Sequence, residues 1–365
     1  MKAIVSAILS VCLAIGTKAQ VSDNPMRTST DSIVQTALSK FMQDSARVMV
    51  SVGIYKNGKT FIYNYGKKDK GDKNTIYEIG SISKTFTGTL LAQAVAEKKV
   101  QLEDDVRKYL GPGYEHLEYE GHPIQLKHLL YHVSGLPFLL PDKGDVFQYP
   151  EDSVPNIITR MQENYSKQAF LKDLQQVKLD TIPGFKFKYS NAATQLLGFI
   201  LEQIYGMSYE QLVKKYITGP LNMAHTTAIF PDRKQGLTRG HNGKGNIMPY
   251  NPPLMAAAGG LYSSVDDMLK YIGYQVNESN PVVALTHQPQ WGDIKSFAFG
   301  LNWHMVVSPN GFRKIWQSGG TFGYSSYCMF YPELGTGIVM LSNESDRTAQ
   351  EGLGLAVIAI FEGIQ

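Results

Sequence analysis

Cysteine is almost absent from the 365-residue sequence, which contains only Cys12 and Cys328. Cys12 lies in an N-terminal stretch that is predicted to be removed, so we expect no intrachain disulfide in the mature chain. Cys328 lies in the alternating run YSSYCMFYP and is most simply a small core residue. The fold must therefore be stabilised by its hydrophobic core, which a chain of this length with 43% hydrophobic residues can supply.

Long hydrophobic runs and a large excess of charge of one sign are also missing. After the first nineteen residues, no run approaches the ~20 apolar residues that a transmembrane helix needs. The formal net charge is only +3, which gives no reason to propose nucleic acid or an anionic membrane surface as a partner. These absences favour a globular protein, and they leave its oligomeric state open.

The N-terminal stretch MKAIVSAILSVCLAIGTKA has the layout of a secretory signal peptide: a lysine, an apolar part over residues 3–15, and small residues that end at Ala19. We expect cleavage after Ala19 and export, to the periplasm first and to the medium or cell surface as alternatives. A lipid anchor on Cys12 is less favoured because Val11 precedes the cysteine. Residues 20–365 are expected to form a single domain.

Strand patterns occur near both ends of the sequence. Residues 48–66 contain two β-rich runs about Asn57-Gly58, a pair that favours the tight hairpin turn with positive φ. Residues 325–343 contain two apolar runs about a Pro-Glu-Leu-Gly turn and predict a second hairpin. Both ends of the chain are therefore expected to contribute strands.

Helical spacing of apolar residues dominates the middle of the sequence. It appears after Gly80, over residues 124–137, and over residues 191–206. We therefore predict an α/β fold in which an antiparallel sheet, built from both chain ends, is flanked by helices and carries an inserted, mainly helical subdomain. The expected division is a sheet subdomain at about 20–80 and 225–365 and a helical subdomain at about 81–224.

The stretch GSISKTFTG (80–88) places Ser81 and Lys84 three residues apart at the predicted start of a helix. Residues at this spacing lie on one helical face, so the hydroxyl and the amine can touch, whereas Ser83 points to another side. A serine hydroxyl is a weak nucleophile unless a base takes its proton, and Lys84 can be that base if burial lowers its pKa. Taken alone, the motif also fits a helix start capped by hydroxyl residues beside a solvated lysine.

Two further stretches change the interpretation. KFKYSNAATQLLG contains Tyr189 and Asn191 before a helix, and KIWQSGGTFGYSSY is a glycine-rich turn that leads into the last hairpin. With GSISKTFTG, they resemble the three signature elements of the serine β-lactamase and penicillin-binding-protein superfamily, most closely its class C β-lactamase branch, whose middle element is Tyr-x-Asn. LLYHVSGLP, AAAGGLYSSVDDMLKYI and GGTFGYSSYCMFYPELGTGIVMLSN are similar to stretches of that branch and occur in the expected order, so the resemblance covers residues 45–345.

The resemblance implies an acyl-enzyme mechanism with Ser81 as the nucleophile. Either Lys84 or Tyr189 would be the general base, and the phenol would pass the proton to the leaving group. Asn191 would orient Lys84 and hydrogen-bond the acyl amide of the substrate. The resemblance implies neither a metal ion nor a cofactor.

The third element would complete the site but departs from the superfamily pattern. Gln317, Ser318 and Gly319 would contact the substrate, and the backbone N–H groups of Ser81 and Gly320 would form the oxyanion hole. Relatives usually have Lys-Thr-Gly here, or His-x-Gly in esterases and peptidases, and a cation there helps to hold a substrate carboxylate. Because Gln317 brings no charge, an ester or amide other than a β-lactam is favoured.

These observations predict an exported serine acyl hydrolase that works through an acyl-Ser81 intermediate. Its acyl donor would be a small molecule or peptide: a β-lactam, a D-amino-acid peptide or amide, or a small ester. One alternative is an acyltransferase that passes the acyl group to an alcohol or amine. The other is a non-catalytic sensor of the penicillin-binding type that traps a ligand at Ser81.

Overall fold

The computed structural model describes residues 20–365 except residue 145, residues 151–152 and residues 232–235. The predicted signal peptide and Cys12 lie outside the described residues. Within these ranges, no helix combines the length and the apolarity that a membrane span requires.

The described strands are β1 (Val21–Ser22), β2 (Met49–Lys56), β3 (Lys59–Gly66), β4 (Ile76–Glu78), β5 (Glu118–Tyr119), β6 (His122–Pro123), β7 (His241–Asn242), β8 (Tyr262–Ser264), β9 (Trp291–Asp293), β10 (Phe297–Phe299), β11 (His304–Val307), β12 (Arg313–Gly320), β13 (Ser325–Tyr331), β14 (Thr336–Ser342) and β15 (Glu344–Ser345). The described α-helices are α1 (Ser29–Met42), α2 (Ser83–Ala96), α3 (Val154–Gln162), α4 (Lys167–Leu174), α5 (Asn191–Tyr205), α6 (Tyr209–Val213), α7 (Val265–Gln275), α8 (Pro281–Thr286) and α9 (Arg347–Ile364).

A nine-stranded sheet with the order β1-β3-β2-β14-β13-β12-β11-β10-β9 forms the centre of the molecule. All neighbouring strands in it run antiparallel. β2 pairs with β14, for example Val52 with Met340, so the two ends of the chain meet in the middle of the sheet. The predicted α/β fold, an antiparallel sheet flanked by helices, is confirmed. The boundaries of the two subdomains stay a prediction.

Both predicted hairpins are present, and the first has the expected turn. Asn57 and Gly58 have φ values of 48° and 82°, which the two central residues of a type I′ turn require. The second hairpin joins β13 to β14 through a short 3-10 turn. The turn ends at Gly335, which has a φ of 53°. The strongest sequence signals for strands were therefore accurate to within a residue or two.

Hydrophobic side chains cover both faces of the sheet, which explains the uninterrupted apolar run over residues 338–341 of β14. In β14, Ile338 and Met340 pack in one cluster with α1 and α9, whereas Val339 and Leu341 pack in the larger cluster with α2 and α7. Successive residues of a strand point to opposite faces, so an uninterrupted apolar run indicates a strand covered on both sides. Cys328 is free and fully buried in the larger cluster, as its sequence context predicted.

The helix predicted over residues 124–137 is wrong. Only a 3-10 turn, Leu126–Leu129, forms there. The N–H groups of Leu126 and Lys127 donate to carbonyl groups of the preceding segment, and His132 then adopts a φ of 57°. Because the backbone is hydrogen-bonded to a neighbouring segment and then turns left-handed, the apolar residues are buried without an α-helix.

Candidate active site

Ser81 lies in a 3-10 turn, Gly80–Ile82, that leads directly into α2. Gly80 has a φ of 51°, and a Cβ added to it would lie 2.6 Å from the backbone nitrogen of Gly320. A glycine is therefore required where the turn packs against the end of β12. This packing fixes Ser81 at the N-terminal end of a buried helix, where the helix dipole favours developing negative charge.

The amine of Lys84 lies directly beside the Ser81 hydroxyl. Lys84 Nζ is 2.8 Å from Ser81 Oγ and also donates to the backbone oxygen of Ala258. The side chain is fully buried, and this burial lowers the pKa of Lys84, while the nearby Tyr189 opposes the shift. Burial therefore favours the neutral amine, which is the form that can accept a proton from Ser81.

Tyr189 closes the other side of the hydroxyl. Its phenol oxygen is 2.6 Å from Ser81 Oγ, and Lys84 Nζ lies 5.0 Å from the centre of its ring. The ring of His132 packs on that of Tyr189 at 4.2 Å between centroids, and His132 Nδ1 accepts a hydrogen bond from the backbone N–H of Ser190. The structure thus brings the hydroxyl, the amine and the phenol into one hydrogen-bonded group, with His132 holding the phenol ring.

Asn191 is the first residue of α5. Ser190 caps this helix, because its side chain accepts a hydrogen bond from the N–H of Ala193. Asn191 lines the same pocket as Ser81. Among the described hydrogen bonds, Lys84 is held by Ser81 and Ala258 and not by Asn191. The contact between Asn191 and a substrate stays a prediction.

The end of β12 brings a second backbone N–H group to the pocket. A Cβ added to Gly319 would lie 2.1 Å from the carbonyl oxygen of Ile79 and 2.9 Å from the nitrogen of Ser81, so the strand approaches the turn as closely as glycine allows. Gly320 and Ser81 both line the pocket. The role of their N–H groups as the two donors of an oxyanion hole stays a prediction.

Gln317 has a structural environment that the sequence did not suggest. Its side chain is only 4% exposed; Nε2 donates to the carbonyl oxygen of Asn302, and Oε1 accepts from the N–H of Ser318. Lys314 lies on the opposite face of β12, with its amine 5.0 Å from the ring centre of Trp316. Lys314 therefore does not replace the missing cation of the third element. Substrate contacts of Gln317 and Ser318 stay predictions.

A pocket of about 230 Å³ opens onto Ser81. The described residues that line it are Ser81, Phe138, Leu139, Val154, Ile158, Asn191, Asn251, Met255, Ala258, Gly259, Gly320, Thr321 and Phe322. None of these lining residues carries a charge. Ser81 therefore faces a largely apolar space in which a neutral group is favoured over a charged one.

Sequence reasoning missed two groups beside this pocket. The carbonyl of Ala258, which holds Lys84, is a backbone group and leaves no trace in a side-chain motif. Glu78 is 1% exposed, and its Oε1 accepts a hydrogen bond of 2.7 Å from the N–H of Asn251. Burial raises the pKa of Glu78 to about 7. The sequence does contain a sign of Glu78: a single carboxylate inside the apolar run IYEI indicates a buried acidic side chain.

Comparisons with known proteins agree with this geometry. The family model described as Beta-lactamase matches residues 34–360. A β-lactamase of Pseudomonas fluorescens is 26% identical over 87% of this chain and 94% of its own length, and a β-lactamase of Escherichia coli K12 is 26% identical over 93% of each chain. Protein flp of Staphylococcus aureus strain MRSA252 is 28% identical over 88% of this chain, which spans only 63% of that protein.

A solved structure shows the same fold. The crystal structure of a β-lactamase/D-alanine carboxypeptidase from Pseudomonas syringae superposes with a TM-score of 0.77 and 22% identity, over 93% of this chain and all of that one. The resemblance to the superfamily that was drawn from the sequence is confirmed. With a family model that matches nearly the whole described chain, this protein belongs to the β-lactamase family of serine hydrolases.

Proposed function

We propose that this protein is an exported serine acyl hydrolase of the class C-like branch, and that it cleaves an ester or amide through an acyl-Ser81 intermediate. The observation that carries the proposal is the continuous contact from Lys84 Nζ through Ser81 Oγ to the phenol of Tyr189, at 2.8 and 2.6 Å. A helix start capped by hydroxyl residues would require neither a fully buried lysine nor a phenol on the serine.

The geometry supports a two-step reaction. Ser81 Oγ attacks the carbonyl carbon while its proton moves to Lys84 or Tyr189, and the carbonyl oxygen takes up negative charge beside the N–H groups of Ser81 and Gly320. Tyr189 protonates the leaving group as the bond to it breaks, and water then releases the acyl group from Ser81. General base catalysis typically contributes about 10²–10⁴ in rate and one oxyanion donor about 10²–10³.

We further propose that the acyl donor is not a carboxylate-bearing β-lactam. β-Lactamase and D-alanine carboxypeptidase are the activities named for the relatives. In this chain, Gln317 replaces the cation of the third element, and both ends of its amide are hydrogen-bonded to the backbone. A neutral ester or amide needs no such cation and fits the uncharged pocket better.

Intact-mass spectrometry tests the covalent step. The wild type is mixed with 4-nitrophenyl acetate, ampicillin or a peptide ending in D-Ala-D-Ala, and compared with Ser81→Ala and with Ser32→Ala, a change at an exposed serine of α1. We expect an acetyl adduct on the wild type and on Ser32→Ala but not on Ser81→Ala. More than one equivalent of product per enzyme would distinguish hydrolysis from a covalent sensor.

An adduct that persists in Ser81→Ala, or a wild type that gives neither an adduct nor product with any donor, would refute this function. The same measurement tests export. Protein purified after expression of the full sequence should have the mass of a chain that begins at Gln20, because cleavage is expected after Ala19.

A further inference from the structure

The walls of the Ser81 pocket form a hydrophobic cluster of their own. Leu139, Val154, Ile158 and Met255 are each 7–9% exposed and belong to a cluster separate from the two large cores that cover the sheet. Phe138 and Phe322, which also line the pocket, pack against the same cluster. Apolar side chains from α3 and from three loops therefore lie together beside Ser81, outside both large cores of the sheet.

The polar groups of the pocket are neutral and few. Apart from Ser81, they are Asn191, Asn251 and Thr321, and the Asn251 amide already donates to the carbonyl oxygen of Gly259. Charged side chains instead line a neighbouring pocket of about 630 Å³ beyond Phe322 and Thr321, where Asp346 and Arg347 lie. A charged acyl group in the first pocket would lose its water without gaining an ionic partner among the described lining residues.

The volume of the pocket gives the size of the group that fits within it. A cavity of about 150 Å³ lined by Leu, Ile and Phe stays dry and holds a benzene molecule. The Ser81 pocket, at about 230 Å³, is larger than that cavity. It therefore has room for a group of about six to ten heavy atoms, by proportion to the six of benzene.

We propose that this pocket is the acyl site and selects an uncharged, apolar acyl group of about six to ten heavy atoms, aliphatic or aryl. This inference rests on the proposed function, because it describes the group that Ser81 carries. The bond from Ser81 Oγ to the acyl carbon forms, the ester C–O bond breaks, and the serine proton leaves on the alcohol. Water then attacks the acyl carbon, the bond from that carbon to Ser81 Oγ breaks, and a proton from the water returns to Ser81 Oγ, so that a free carboxylic acid is released.

A series of 4-nitrophenyl esters of increasing acyl length tests the proposal. Each methylene that becomes buried should raise kcat/KM about fourfold, which corresponds to about 0.8 kcal/mol. The hexanoyl ester, with four more methylenes, should therefore react about 250-fold faster than the acetyl ester. The monoester of glutaric acid, which carries a carboxylate at the chain end, should react at least about tenfold more slowly than the uncharged pentanoyl ester.

A variant that fills the pocket links the preference to this site. Ile158→Phe should lower the hexanoyl-to-acetyl ratio of kcat/KM by about tenfold or more, because the added ring occupies space that the longer chain needs. Leu355→Phe, on the exposed face of α9 where Leu355 is 65% exposed, is the matched control and should keep the wild-type ratio.

The outcomes separate this inference from the proposed function. An adduct on Ser81 with a flat or falling dependence on chain length overturns the apolar acyl site and leaves the hydrolase intact. Equal rates for the charged and uncharged esters, or a ratio that Ile158→Phe leaves unchanged, also overturn it. A wild type that gives neither an adduct nor product with any ester overturns both.

Discussion

Replacing Glu78 by glutamine should raise the free energy of unfolding relative to the wild type. This gain should be larger at pH 8 than at pH 5. Glu78 is 1% exposed, and burial raises its pKa to about 7. One oxygen, Oε1, accepts from the N–H of Asn251 at 2.7 Å; this bond and the side chains of Thr321 and Tyr262 lower the pKa of Glu78, but burial outweighs them. A glutamine keeps the acceptor for Asn251 but has no proton to lose.

The magnitude follows from the two pKa values. An unfolded glutamate titrates near ~4.3, and each unit of difference from about 7 in the folded chain is worth about 1.36 kcal/mol. Between these values the folded state binds the extra proton, so the contribution of this group to stability falls as the pH rises. Below about pH 4 both states are protonated and the effect vanishes. The full difference above pH 7 is therefore about 3–4 kcal/mol, of which about 1 kcal/mol is already present at pH 5, so the gap should widen by about 2–3 kcal/mol between pH 5 and pH 8.

Urea unfolding followed by tryptophan fluorescence at pH 5, 6, 7 and 8 measures this difference. Glu362→Gln, at an exposed position of α9, is the matched control and should follow the wild type at every pH. Other buried groups, such as Glu344 with a pKa raised to about 7 by burial, are common to all the proteins and cancel in the comparison. A gap between Glu78→Gln and wild type that stays constant within about 1 kcal/mol over this range would refute the reasoning.

Four further outcomes follow from the site. Tyr189→Phe removes the 2.6 Å contact to Ser81 and should lower kcat by about 10²–10⁴, with circular dichroism unchanged. Gly319→Ala places a Cβ 2.1 Å from a backbone carbonyl oxygen and should lower kcat at least about 10²-fold, whereas full activity would show that β12 does not shape the oxyanion hole. Gln317→Lys should raise hydrolysis of a carboxylate-bearing β-lactam by about fivefold, because a charged donor replaces a neutral one; a lower rate contradicts our account of that position. Since burial lowers the pKa of Lys84, kcat/KM should rise with pH along a limb centred below the ~10.4 of a free lysine, and a midpoint at that value would contradict the lowered pKa.

Local sequence patterns predicted much of the fold because their causes are local. Asn57-Gly58 dictates a tight turn by its own backbone preference, and Ser81 and Lys84 meet because a helical turn brings residues three apart together. The segment 124–137 failed because its apolar spacing is satisfied by burial while its N–H groups bond to another segment. No pattern within those fourteen residues records that partner.

The parts of the site that the sequence did not reveal depend on contacts between distant segments. The carbonyl of Ala258 reaches Lys84 only because the segment before β8 packs under α2. The side-chain amide of Gln317 donates a hydrogen bond to the carbonyl oxygen of Asn302, a residue with a φ of 62°. The apolar pocket combines residues from about 138 to 322 that are individually ordinary core residues. The sequence motifs therefore predicted which side chains come together, whereas the groups around them depend on tertiary packing.

The pairing of β2 with β14 has a consequence for how the protein is made. A ribosome releases Met49–Lys56 long before Thr336–Ser342, the strand beside which it must lie. Until that late strand emerges, β2 presents an unpaired edge, and closing so long a loop is slow. Premature termination anywhere before residue 336 should thus yield insoluble fragments rather than smaller working domains, and this chain needs protection from aggregation until translation is nearly complete.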